Sequence, residues 1–330
     1  MKWWAALPVV VAVAGVGAGA WTWHQLSQPW QGFRKPVMLE FRRGASTREM
    51  ATELARNGVV RESWFFLAVR ALHRGERLQA GEYRFEKAAS PLEVLGRIAR
   101  GDIFYLELLI PEGFNIFDTA EAVAKLGTIS GEAFLEAARD PQPIRDLDPQ
   151  ATTLEGYLFP NKYRIYKHTT ARDLTRQMVG EFRAHWLKAK PEAAIHDTVT
   201  LASLVEKEAR RADERGLVAS VFHNRLKIGM KLDCDPTTVY AAILEGRYKG
   251  VIHRSDLDSD NPYNTYRHTG LPPGPIASPG WTAVEAALAP ADTAYLYFVA
   301  KADGSGGHTF SESLRQHEAA VAHYRAAVPH

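Results

Sequence analysis

A pattern of glycines and apolar residues that returns after 69 positions limits the folds open to this chain more than any other feature. Val37-Met38-Leu39-Glu40-Phe41 has the composition of a strand. Gly44 follows, then a helical stretch with Met50, Leu54 and Ala55, then Gly58 and Val59-Val60, which lead into a second helix through Phe65 and Val69. In the second copy, Leu108-Leu109-Ile110 takes the strand position and Gly113 matches Gly44. Ala120, Val123 and Ala124 match Ala51, Leu54 and Ala55, while Gly127, Ile129 and Phe134 match Gly58, Val60 and Phe65. Glycines at a strand-to-helix turn and just past a helix are expected where φ is positive. Between the copies, Gly81-Glu82-Tyr83-Arg84-Phe85 reads as a strand, and Ser90-Pro91-Leu92-Glu93 as a helix start with cap, proline and capping-box acid in order. Residues 36–100 are therefore expected to form a small α+β module, with a second half-copy at about 106–139. The module holds no cluster of titratable groups, which suits binding or a spacer role better than catalysis.

The N-terminus bears on the compartment. An uncharged stretch runs from Trp3 to Trp23, with Trp3, Trp4, Trp21 and Trp23 at its two ends. As a helix it spans about 31 Å, the thickness of a bilayer's hydrocarbon core, with tryptophans at the interfaces. The rival is a cleaved signal peptide, for which Ala18-Gly19-Ala20 resembles the cleavage motif. The apolar length and the flanking tryptophans favour an uncleaved anchor at 1–23 followed by a polar linker at 24–35. The bulk of the chain is then expected outside the membrane. Net charge is +2 and no basic run carries interleaved aromatics, so nucleic acid is not an expected partner. One cysteine, Cys234, excludes an intramolecular disulfide.

Residues 198–212 read as a helix with Leu201, Leu204 and Val205 on one face, and Glu208 is the next position on that face. A carboxyl on an apolar face has a raised pKa and can serve as a general acid near neutral pH. Glu206 points roughly 200° away round the helix, where Arg210 is a surface partner at four-residue spacing. A further helix is expected from Asp213-Glu214 through Leu226. Beyond it the chain reads as irregular and rich in polar and aromatic residues, including Asp233-Cys234-Asp235-Pro236-Thr237 and Asn261-Pro262-Tyr263-Asn264-Thr265-Tyr266. Gly270 to Gly280 carries Pro272, Pro273, Pro275 and Pro279 and is expected to be a stiff loop forming a cleft wall. A hairpin at Tyr295–Ala300 and His308–Phe310 and a helix at about 312–327 close the chain.

An acid of this kind beside Asn, Tyr and Thr loops fits glycoside cleavage, in which hydrolases use two carboxyl groups. Asp235, Asp233 and Glu206 are the candidates for a second. No S-x-x-K, G-x-S-x-G, CxxC, HExxH or P-loop pattern is present, and the histidines lack ligand spacing, so neither a cofactor nor a metal is expected.

Several ordered motifs together resemble the YceG-like endolytic murein transglycosylases. They are Leu201-Ala202-Ser203-Leu204-Val205-Glu206-Lys207-Glu208, Val218-Ala219-Ser220-Val221-Phe222-His223-Asn224-Arg225-Leu226, Asp235-Pro236-Thr237, Tyr263-Asn264-Thr265-Tyr266, Gly270-Leu271-Pro272-Pro273-Gly274-Pro275-Ile276, Tyr295-Leu296-Tyr297-Phe298-Val299 and Gly306-Gly307-His308-Thr309-Phe310. The resemblance implies a bacterial inner-membrane protein of α+β class, with a membrane helix, a LysM-like module at 36–100 and a helix-rich catalytic domain at 101–330. It implies cleavage of MurNAc-β-1,4-GlcNAc bonds inside nascent peptidoglycan strands to leave 1,6-anhydro-MurNAc ends, beside cell-wall synthases. Glu208 takes the position of the family's catalytic glutamate, with Glu206, Asp235, Asn264 and Tyr266 as substrate-contact candidates. A non-catalytic peptidoglycan-binding scaffold for those synthases is the alternative. The chain departs from the family pattern at Asn161-Lys162, after Pro160, and at Asp233-Cys234, where Gln and Ser or Thr are usual.

Overall fold

The computed structural model describes residues 19–327. Helix α1 covers residues 19–27, and among the described residues no helix is long and apolar enough to cross a membrane. Most of the expected anchor at 1–23 lies outside the described residues.

The chain divides into two compact units, one reaching Leu106 and the other starting at Glu107. The first contains β1 (Val37–Phe41), α2 (Thr47–Arg56), α3 (Ser63–Leu72), β2 (Gly81–Phe85) and α4 (Pro91–Arg100). β1 and β2 pair antiparallel, with Leu39 opposite Tyr83 and Phe41 opposite Gly81. Alternation along the strands sends Leu39, Phe41, Tyr83 and Phe85 into a core shared with Leu54, Phe66, Leu95 and Ile98. The helix start expected at Ser90 is a capping box with Glu93 that opens α4, with Pro91 in its first turn, and Ser46 with Glu49 forms a second that opens α2.

The second unit begins with the same succession of elements. β3 (Leu106–Leu109), α5 (Ile116–Ala124), α6 (Gly131–Ala138), β4 (Lys162–Ile165) and α7 (Ala171–Ala189) follow in order, and β4 pairs with β3. The likeness thus continues past the half-copy at 106–139 into a closing strand and helix, with an insertion between α6 and β4 that hides it from a fixed spacing. The glycines bear the expected conformation: φ is +86° at Gly44 and +78° at Gly113, +70° at Gly58 and +74° at Gly127.

The remainder is mainly helical: α8 (Ile195–Glu208), a 3₁₀ turn (Ala212–Glu214), α9 (Arg215–Lys227), α10 (Asp235–Leu244), α11 (Arg254–Leu257), α12 (Trp281–Leu288) and α13 (Leu314–Ala327). The hairpin β5 (Tyr297–Ala300) and β6 (His308–Ser311) pairs antiparallel. The protein is thus mixed α+β and helix-rich. α8 is buried without a break from Thr198 to Val205, packed against α9 and α12. Leu201, Leu204 and Val205 join Phe222, Tyr240, Ile276 and Ala283 in one core.

Two expectations are corrected here. The helix expected over 198–212 stops at Glu208, because Ala209 leaves helical geometry with ψ 97°. The stretch expected to be irregular after Leu226 contains α10, for which Asp235 and Pro236 supply the first turn; proline starts a helix well because its missing N–H has no partner there anyway. The Pro-rich segment at 270–280, expected as a stiff loop, has no helix or strand and is largely buried. Its backbone is held by Ser203 Oγ, which accepts from the Ile276 amide at 3.1 Å, and by Ser278, which exchanges backbone hydrogen bonds with Gly113 and Phe114.

Candidate active site

Glu208 is the last residue of α8, at the end where the helix dipole is negative and a carboxylate is disfavoured. It is only part-buried, so one side of it stays open. Among the described residues its carboxyl has one hydrogen-bond partner, the Cys234 thiol, which donates to Oε1 at 3.2 Å. Burial pushes the Glu208 carboxyl up to about 7, the thiol opposes this by favouring the carboxylate, and the negative charge of Asp235 raises it further.

The start of α10 brings the facing groups. Cys234 caps that helix, and Asp235 opens it, exposed to solvent. Tyr266 donates its hydroxyl to Asp235 Oδ1 at 2.6 Å, and burial followed by this contact raises the phenol. Glu208, Asp235 and Tyr266, three of the residues singled out from sequence, therefore stand on one partly open rim.

Asn264 lies elsewhere in the architecture. It is fully buried, and its amide nitrogen donates to the carbonyls of Asp256, Leu257 and Ser259 at 3.3, 2.9 and 2.7 Å. Its Oδ1 accepts from Thr238 Oγ1 and from the Tyr266 amide at 3.3 and 3.1 Å. Asn264 thus builds the loop that presents Tyr266. Thr265, next in sequence, accepts from the Cys234 amide at 3.0 Å and meets Thr237 Oγ1 at 2.9 Å.

Glu206 does not pair with Arg210 on the surface. Arg210 lies past the end of α8, so the four-residue helical spacing no longer applies. Glu206 instead receives Arg215 Nη2 at 2.9 Å and the Gly280 amide at 3.0 Å. The same Arg215 nitrogen also meets Glu112 at 2.9 Å. Burial raises the Glu206 carboxyl, and Arg215 opposes this.

Sequence reasoning did not single out four residues that shape this region. Glu214 accepts from the His308 amide at 3.0 Å and contacts His308 Nδ1 at 2.8 Å, fixing the Gly-Gly-His turn. Arg225 donates to the carbonyls of Leu296 at 2.7 Å and Leu232 at 2.9 Å, and meets Asp233 at 3.3 Å. Asn224 donates to the carbonyls of Thr293 and Tyr295 at 2.8 and 3.0 Å. Glu155 is buried, raised to about 7 by burial, and accepts from the Ile116 amide at 3.0 Å and the Tyr240 hydroxyl at 2.9 Å. Arg225 and Asn224 lie in a motif whose order was legible, but their partners at 293–296 lie about 70 residues on, and no local pattern marks them.

Among the described residues no group of three or more His, Cys, Asp or Glu could hold a metal ion. The arrangement can hold a proton on Glu208 near neutral pH and deliver it to a ligand on the open side.

Fold and site together define a mixed α+β protein with a candidate general acid at the end of its central helix. The model of the YceG-like family matches residues 39–323, and the chain belongs to that family. A protein of Bacillus subtilis named endolytic murein transglycosylase is 33% identical over 302 residues, 85% of this chain and 82% of that protein. One of the same name from Streptococcus pneumoniae is 28% identical over 326 residues, 88% of this chain and 59% of that protein. A crystal structure of a YceG-like protein from Listeria monocytogenes is similar with a TM-score of 0.55 and 30% identity, covering 87% of this chain and 99% of that one.

Proposed function

We propose that this protein is an endolytic peptidoglycan lytic transglycosylase that cuts MurNAc-β-1,4-GlcNAc bonds within nascent glycan strands. The observation that carries the reading is the Glu208 carboxyl, raised to about 7 on a partly open rim; the family and the names of its relatives support the substrate. Glu208 gives its proton to the glycosidic oxygen as the bond from the MurNAc anomeric carbon breaks. The resulting carboxylate takes the proton of the MurNAc 6-hydroxyl as that oxygen bonds to the anomeric carbon. No water is consumed, the product is a 1,6-anhydro end, and Glu208 returns to its protonated form. A group that alternates between acid and base works best with a pKa near the working pH.

Asp235 and Tyr266 are assigned to the sugar-facing rim, and Asp235 also keeps Glu208 protonated. Asn264 and Glu206 act behind them, as supports. The 36–100 module is assigned a LysM-like glycan-holding role, supported by its β-α-α-β order and antiparallel strand pair. The N-terminal stretch is assigned as an inner-membrane anchor that keeps the enzyme beside the cell-wall synthases, on the strength of its apolar length and tryptophan flanks.

The test is digestion of uncrosslinked glycan strands by the full-length protein and by Glu208→Gln, with products weighed by mass spectrometry. Anhydro ends from the native protein and none from the variant are expected. Reducing ends would point to a water-using hydrolase with Asp235 as second carboxylate. Binding without cleavage would favour a scaffold.

A further inference from the structure

Cys234 is the one titratable or nucleophilic side chain in contact with Glu208 that the reaction above leaves without a part. It is 1% exposed, so its chemistry is confined to what it touches. Its position is fixed from two sides: the Cys234 amide donates to Thr265 Oγ1 at 3.0 Å, and Thr237 Oγ1 donates to the Cys234 carbonyl at 2.7 Å. Those anchors leave the thiol against Glu208 Oε1 at 3.2 Å.

We infer that Cys234 is the positioning residue of Glu208, whose thiol orients the carboxyl and, as a weak donor, holds it without trapping it as the carboxylate. The inference rests on the assignment of Glu208 as the general acid. An S–H group is a weak hydrogen-bond donor. A hydroxyl at the same place would bind the ionised oxygen more strongly, since hydrogen bonds to a charged acceptor are roughly twice as strong as neutral ones. The residue type at 234 thus sets how far burial, unopposed, keeps the proton on Glu208. The buried thiol itself is pushed well above its usual range, first by desolvation and then by the Glu208 charge, so it remains a thiol while Glu208 titrates. The other charged group acting on the pair is Asp235, hydrogen-bonded by Tyr266; Asp233, next to Cys234 in the chain, is held by Arg225. On α8 itself, Glu206 is held by Arg215, and Lys207 donates to the Gly113 carbonyl at 3.2 Å.

Two readouts on the full-length protein test this. Cys234 is the only cysteine in the sequence, so the infrared S–H stretching band is its own. The band is expected to shift to lower frequency as pH rises and Glu208 ionises, and to stay fixed in Glu208→Gln. In pH–rate profiles, Cys234→Ala removes the donor and is expected to move the alkaline limb up by about half a unit or more. Cys234→Ser supplies a stronger donor and is expected to move it down by a similar amount, with rates near the pH optimum within about tenfold of native. A band that ignores pH, or limbs that stay put or move the same way in both variants, overturns the inference. If Glu208→Gln still cleaves while the native band titrates, the coupling stands and the assignment of Glu208 as the acid falls instead.

Discussion

Glu206 and Glu208 lie two residues apart on one helix in opposite electrostatic settings. Glu206 is clasped by the Arg215 guanidinium and the Gly280 amide, both within 3.0 Å. Glu208 has only a thiol at 3.2 Å and no cation among its influences. The same residue type thus yields an ion-paired strut in one place and a neutral, proton-holding acid in the other.

Activity should fall as pH rises through about 7, the value to which Glu208 is raised, because the protonated carboxyl starts the reaction. Stability carries the same sign. A folded pKa raised from 4.5 gives a stabilisation that is full below the unfolded value and lost as pH rises through about 7. Glu208→Gln removes this dependence. Above pH 8 it should be more stable than the native protein by about 2–3 kcal/mol, measured by urea unfolding across pH.

Asp235→Asn removes a charge that raises Glu208. The alkaline limb should move to lower pH while anhydro ends are still formed. Loss of all cleavage, with Tyr266 still ordered, would give Asp235 a direct part in the chemistry.

Arg215→Ala should destabilise the fold by about 3–5 kcal/mol, because it strands the Glu206 charge in a part-buried site. Adding Glu206→Gln should restore much of that loss. Denaturant unfolding of the single and double variants measures it.

Much of this architecture is written in local chemistry. The capping boxes at Ser46 and Ser90, the positive-φ glycines at 44, 58, 113 and 127, and α7 all follow from short-range rules. So does the helix-face argument for Glu208, since desolvation depends on the same spacing that builds the core. What escaped depends on contacts distant in sequence. The Glu206–Arg215 pair forms because α8 ends at Glu208 and the chain turns back. The burial of 270–280 depends on Ser203, and Asn264 accepts from Thr238 on α10. α10 was hidden by Pro236, which punctuates a sequence the same way whether it breaks a helix or begins one.

Gly156 illustrates the non-local kind. Its φ is +84°, and an added Cβ would sit 2.5 Å from Pro275 Cβ and 2.9 Å from Val199 Cγ1. Gly156→Ala should cost about 3 kcal/mol or more, combining left-handed strain with overpacking. Thermal unfolding checks it, and a variant as stable as the native protein would show that the Pro-rich segment yields.

The most direct measurement remains the mass of the ends made from uncrosslinked glycan strands by the native protein and by Glu208→Gln. Ends one water lighter than hydrolysis products, absent from the variant, are the predicted result. Undiminished release of anhydro ends by Glu208→Gln would contradict the account.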